Sequence, residues 1–171
     1  QVAISPDKRD MFITAGLTEG VQNKFSTIKV TGDTVLPVED IEKFVLVKEG
    51  QVFSRALLEY TADAITSTLG NIGYAFAQVN PIPTVDRENQ TVAINLQVVP
   101  GPRVNVRRIV FKGNTRSADE VLRREMRQFE ESWYSQAAID RSKIRLQRLG
   151  YFKTVDVETP AVPGTNDQVD V

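Results

Sequence analysis

Residues 70–79 read GNIGYAFAQV and residues 147–157 read QRLGYFKTVDV. Each stretch places a Gly-Tyr pair, Gly73-Tyr74 and Gly150-Tyr151, between a helix-like run and β-rich sequence. The recurrence belongs to a longer one. Shifted by 81 residues, FSTIKVTGDT falls on VRRIVFKGNT, with Gly32 on Gly113 and Thr34 on Thr115. VFSRALLE falls on WYSQAAID, with Ser54 on Ser135, and MFITAGLTEG falls on VAINLQVVPG, with Gly20 on Gly101. The Gly-Tyr junction recurs at 77 instead, because the second copy has lost four residues, about one helical turn, from the helix before it. Repeats of this size are successive domains rather than the units of a solenoid. The chain divides into the tail of one copy (1–22), one whole copy (23–101) and most of another (102–171), with a final strand that reads as cut short.

Each copy reads β-α-α-β-β. In the first strand the apolar parity slips at the same place twice, from Phe25 to Ile28 and from Val106 to Ile109, which predicts a bulge or a late strand start. Pro37 suits the first turn of the first helix, followed by Val38, Ile41 and Phe44. SADE at 117–120 has the form of a capping box, and Leu122, Met126 and Phe129 follow on one face. Ser54 and Ser135 are N-caps for the second helix. Leu58, Ala62, Ile65, Leu69 and Ile72 then make an amphipathic stripe, repeated by Ile139, Leu146 and Leu149. Gly73 and Gly150 are helix stops, and the tyrosine after each is expected to open the second strand. Pro81 and Pro83 put that strand at a sheet edge, because proline has no N–H for an inner ladder. The last strand alternates through Val92, Ile94, Leu96 and Val98, and Met11, Ile13, Ala15 and Leu17 alternate in the same way, so one sheet face is buried. The fold class is α+β: tandem domains, each a three-stranded mixed sheet with two helices on one face.

The 171 residues carry 21 basic and 22 acidic side chains, no histidine and no cysteine. That removes the usual general base, thiolate chemistry and the commonest metal ligand. Asp156, Glu158, Asp167 and Asp170 match no calcium-loop spacing. No catalytic, metal or cofactor site is expected. No apolar run reaches the ~20 residues of a membrane-spanning helix. The copies differ in charge: 23–101 holds 6 basic and 9 acidic residues, and 102–171 holds 13 and 10. Arg141, Arg145 and Arg148 form a stripe on the second helix of the basic copy. It reads as a solvated face, or as a surface for an acidic partner or lipid headgroups. GNIG at 70–73 has the form of a KH-type GxxG loop, but the helix-stop reading accounts for both glycines, and no nucleic-acid partner is expected.

A tandem β-α-α-β-β unit with GD/GN-T after the first strand and LGY or IGY after the second helix resembles the POTRA family. VRRIVFKGNTRSADEVLRREMRQFEESW, followed by RLQRLGYFKTVDVETPAVPGTNDQVDV, looks like the last such domain of BamA-type outer-membrane β-barrel assembly factors. The resemblance implies a periplasmic region of a bacterial outer-membrane protein, ahead of its own membrane β-barrel. Residues 23–101 and 102–171 would be the fourth and fifth domains and 1–22 the closing strands of the third. It implies a non-enzymatic scaffold that receives unfolded outer-membrane proteins, partly by strand addition, and docks accessory lipoproteins. The carboxylate three residues before the tryptophan, here Glu130 before Trp133, corresponds to the surface for a BamD-type lipoprotein, with Arg123 and Arg127 nearby. Trp133 aligns with Val52 and reads as partly core. Val2 and Ile4 match the strand that docks a BamB-type lipoprotein. The alternatives are the same region of a translocation-and-assembly factor or two-partner secretion transporter and, outside the family, an RNA-binding tandem.

Overall fold

The chain was analysed as a computed structural model that describes residues 2–4, 11–13, 15–16 and 20–171. Strands β1 (Val2–Ile4) and β2 (Met11–Ile13) form an antiparallel pair. The first unit contains β3 (Lys24–Gly32), α1 (Val38–Glu42), α2 (Arg55–Asn71), β4 (Gln78–Asp86) and β5 (Thr91–Val99). Its sheet order is β3-β5-β4, parallel between the first two and antiparallel between the last two. The second unit contains β6 (Asn105–Arg108), α3 (Asp119–Glu125), α4 (Gln136–Arg148) and β7 (Gln168–Asp170), with β6 and β7 parallel.

The alternation in β5 buries Val92, Ile94, Leu96 and Val98 beneath Leu58, Ile65 and Leu69 of α2 and Ile41 of α1, so both helices cover one sheet face. Burying each of these side chains stabilises by about 1.5–3 kcal/mol before conformational entropy is counted. The second core repeats the plan with Val106, Val169, Leu122, Ile139 and Leu146. The parity slip is a bulge in both copies, between Phe25 and Ile28 and between Val106 and Arg108. Ser54 and Ser135 cap α2 and α4, each hydroxyl accepting from an N–H three residues on, at Leu57 and Ala138. Gly73 and Gly150, at φ 110° and 70°, stop them. β4 is an edge strand, as its prolines require.

Several expectations from the sequence are corrected. The second sheet has two strands, not three. Beyond the β6–β7 pair, isolated bridges join Ala161 to Val169 and Asn105 to Trp133. Phe152 and residues 154–158 line, with Ile109, Phe111 and Val171, an open cleft of about 430 Å³ over Leu122 and Met126. The Gly-Tyr tyrosines do not open strands: β4 starts at Gln78, and Tyr151 is exposed. The SADE capping box does not form. Residues 114–117 close a turn, with Ser117 N–H on the Asn114 carbonyl and Asn114 Nδ2 on the Ser117 carbonyl, so Ala118 takes the N-cap place without a side-chain bond. Helix α3 ends at Glu125 and Met126 is extended, so Phe129 leaves the helical face and is 65% exposed. In α1 only Ile41 is buried, and Val38 and Phe44 are partly exposed. Trp133 is half exposed, and Met11 and Ile13 are exposed too. Leu17 lies outside the described residues.

The units share a joint. The last turn of α2 meets the first turn of α4: Ala137 N–H donates to Asn71 Oδ1 at 2.7 Å. Gly70 faces Gln136 so closely that an added Cβ would lie 3.2 Å from it. The Val104 N–H donates to the Gly73 carbonyl at 2.8 Å, and Arg103 Nε to the Ile72 carbonyl at 2.9 Å. The Arg103 guanidinium lies over the Trp133 ring, 4.1 Å from its centroid, a favourable cation–π geometry.

Candidate partner-binding site

The loop after α3 is fixed from inside. Gln128 is 2% exposed. Its Nε2 donates to Ser132 Oγ at 2.8 Å, to the Trp133 carbonyl at 3.0 Å and to the Phe129 carbonyl at 3.2 Å. Its Oε1 accepts from the Ser135 N–H at 2.9 Å, so a buried amide spends both ends on the loop. Outside this hub the backbone joins β6 as a short third edge: Glu131 N–H donates to the Val106 carbonyl and Val106 N–H to the Ser132 carbonyl.

Glu130 is not in a helix, which removes any helix-dipole effect on it. Its Oε1 accepts from the Ile109 N–H at 2.7 Å and from Arg123 at 3.1 Å. Arg123 also donates to the Ile109 carbonyl at 3.0 Å and to Asp119. The backbone N–H of Ile109 first, and the guanidinium second, hold the Glu130 carboxyl below the ordinary glutamate range. Both side chains remain about two-fifths exposed. The structure thus joins two of the three residues expected to act together. Arg127 is not the partner of Glu130: its guanidinium donates to the carbonyls of Met126 and Arg124, because the extended backbone at Met126 turns it back along its own segment.

The arginine stripe on α4 also divides. Arg145 turns to Glu125 at 2.7 Å, and its Nε is buried without a partner. Arg141 and Arg148 stay exposed, with Ile144, 47% exposed, between them. Asp170 binds Arg107 and Arg108, and Asp156 lies 3.6 Å from Lys143. Gly70 and Gly73 form the end of α2 against the second unit, not a free loop. Val2 and Ile4 lie on β1, opposite Ile13 and Met11. Sequence reasoning missed Gln128 and Asn71. Asn71 acts on a helix 66 residues away, and Gln128 braces an irregular loop, although an amide where the first copy has Val47 was a usable signal.

The family model described as "POTRA: Surface antigen variable number repeat" matches residues 23–101 and 104–171. The chain belongs to the POTRA family. Its tandem POTRA fold superposes on the crystal structure of Haemophilus influenzae BamA POTRA3-5 with a TM-score of 0.92 and 36% identity, over 99% of this chain and 67% of that one. BamA from Haemophilus ducreyi lacking POTRA domains 1-3 matches with a TM-score of 0.73 and 39% identity, over 86% of this chain and 28% of that one. The outer membrane protein assembly factor BamA of Neisseria meningitidis is 32% identical over 99% of this chain. The chain spans about a fifth of that relative's length. The chain is a POTRA region of BamA type, and no helix among the described residues is long and apolar enough to cross a membrane.

Proposed function

We propose that this chain is the periplasmic scaffold of an outer-membrane protein assembly factor. Residues 23–101 and 102–171 serve as its fourth and fifth POTRA domains and 1–22 as the end of the third. It performs no catalysis. It docks a BamD-type lipoprotein through the loop holding Glu130 and Arg123, and a BamB-type lipoprotein through the β-strand holding Val2 and Ile4. Unfolded outer-membrane proteins pass along it toward the barrel. The observation that carries this reading is the fit to BamA POTRA3-5 over nearly the whole chain at 36% identity. The exposed carboxylate, fixed by a backbone N–H and a guanidinium, adds support: a preorganised charge loses little freedom on docking. The exposed Arg141, Ile144 and Arg148 are offered to anionic lipid headgroups.

The β4 edge suits strand addition less well than its position suggests. β4 keeps an unbroken register with β5 from Gln78 to Asp86, so the missing N–H groups of Pro81 and Pro83 lie on its outward side. An added strand there finds carbonyls but lacks two donors, the usual device against unwanted pairing. Strand addition on this edge is therefore weak, in a range of about millimolar affinity.

The test is calorimetric titration of the soluble ectodomain of the matching BamD-type lipoprotein. Wild type should bind. Glu130→Lys should lose more than about tenfold in affinity, the direction expected when one member of an interfacial charge pair is reversed. Glu130→Gln keeps an acceptor for Ile109 and separates charge from folding. Absence of wild-type binding by a folded chain would overturn the partner assignment.

A further inference from the structure

The two units contain the same loop built twice. In the first unit Gly50 N–H donates to the Phe25 carbonyl and Phe25 N–H to the Gln51 carbonyl. In the second, Glu131 N–H donates to the Val106 carbonyl and Val106 N–H to the Ser132 carbonyl, the same bonds 81 residues on. The backbone demands a left-handed residue at the same place, φ 77° at Gly50 and 59° at Glu131. The side chains differ. The first unit has Val47-Lys48-Glu49-Gly50, an apolar residue inside and a glycine where the backbone needs one. The second has Gln128-Phe129-Glu130-Glu131. The first loop is thus an internal control for what the turn alone requires, and the second departs from it three times.

None of the three is required by the turn, which forms in the first unit without them. A buried amide replaces valine and needs its bonds to Ser132, Trp133, Phe129 and Ser135 to be tolerated. An aromatic ring replaces lysine and stands 65% exposed. A side chain occupies a left-handed position that favours glycine. Together they hold an aromatic ring outward on a braced loop, beside the exposed carboxylates of Glu130 and Glu131. A few large side chains seated in desolvated pockets carry most of the binding energy at protein interfaces.

We infer that Phe129 is the apolar anchor of the partner site, seated in a cleft of the partner that is apolar within and cationic at its rim. Gln128 positions it, and Glu131 meets the rim. This rests on the lipoprotein-docking reading above and names the residue on which docking turns. Arg123 already pairs with Glu130 at 3.1 Å, whereas the exposed ring of Phe129 gains an apolar contact only on docking.

The probe is the same soluble ectodomain, titrated against the full chain. Phe129→Lys installs what the first unit carries at this point and should leave the thermal midpoint unchanged, because the ring is exposed, while lowering affinity at least tenfold, as for an interface hot spot. Phe129→Leu should recover part of the loss. The triple replacement Gln128→Val, Phe129→Lys, Glu131→Gly gives the second loop the sequence of the first, VKEG, which folds there on the same backbone bonds. It should stay folded and bind no better than Phe129→Lys alone. If wild type binds and Phe129→Lys binds equally well, the anchor is wrong and the docking reading stands. If folded wild type fails to bind, both fall.

Discussion

At Glu131 the backbone is left-handed and the unit carries a side chain where its sister carries Gly50. A left-handed non-glycine residue costs roughly 1–2 kcal/mol, and glycine returns part of that as chain entropy. Glu131→Gly should therefore raise stability by about 0.5–1 kcal/mol, read as a higher thermal midpoint. A lower midpoint would mean the Glu131 side chain stabilises the free protein. Glu130 gives a second residue-scale test. Its folded carboxyl titrates below the ordinary 4.5, held there by the Ile109 N–H and then Arg123. The unfolded chain takes up the proton near the ordinary value, so the stabilisation is complete above it and is lost as pH falls through the lower folded value. Asp170 behaves alike, through Arg107 and then Arg108. The second unit should weaken between the ordinary carboxylate range and the depressed values, and Glu130→Gln should flatten that loss in acid melts. Glu130→Lys, which leaves the Ile109 N–H unpaired, should cost about 1–2 kcal/mol. Equal midpoints for wild type and Glu130→Lys at neutral pH would show the Ile109 bond to be idle.

Helix ends were readable because they are local. Ser54, Ser135, Gly73 and Gly150 act on N–H and carbonyl groups within four residues, and all four do what their type predicts. The edge position of β4 was readable for the same reason, since a proline states its own missing donor. Tertiary partners decided the rest. SADE has a capping-box spelling, but Asn114 claims the turn before it. Nothing in the neighbourhood of Glu130 names its partner Ile109, 21 residues away in sequence. The third strand expected in the second sheet does not form: Val155 and Val157 pack against the second core without joining a ladder. At β4, Pro81→Val with Pro83→Val should restore two outward donors. The variant is expected to bind an extended outer-membrane strand peptide more tightly, with β4 amide shifts, and to self-associate at high concentration. Unchanged peptide affinity would remove β4 from the substrate path.

The joint makes the pair of units one mechanical object. Asn71 of one unit satisfies the first turn of a helix in the other, and Gly73 accepts from Val104. The two units should tumble together in NMR relaxation, and Asn71→Ala combined with Arg103→Ala should let them separate in rotational correlation time while each keeps its fold. Independent tumbling of the wild-type units would contradict the joint. Pro100 and Pro102 of VVPGPRV (98–104) restrict the link, but the bonds that fix it connect residues 31 and 66 positions apart. The strand order carries a last consequence. In the first unit the opening strand pairs with the closing one, Lys24 against Thr91, and the helices lie between. During synthesis the chain emerges one end first, so α2 is complete early while its sheet must wait for the final segment. Such ring closure over a long intervening loop slows folding. Until it happens the apolar side of α2 stays open to chaperones and to other emerging chains. Each unit therefore has a vulnerable interval set by the time its own tail takes to emerge.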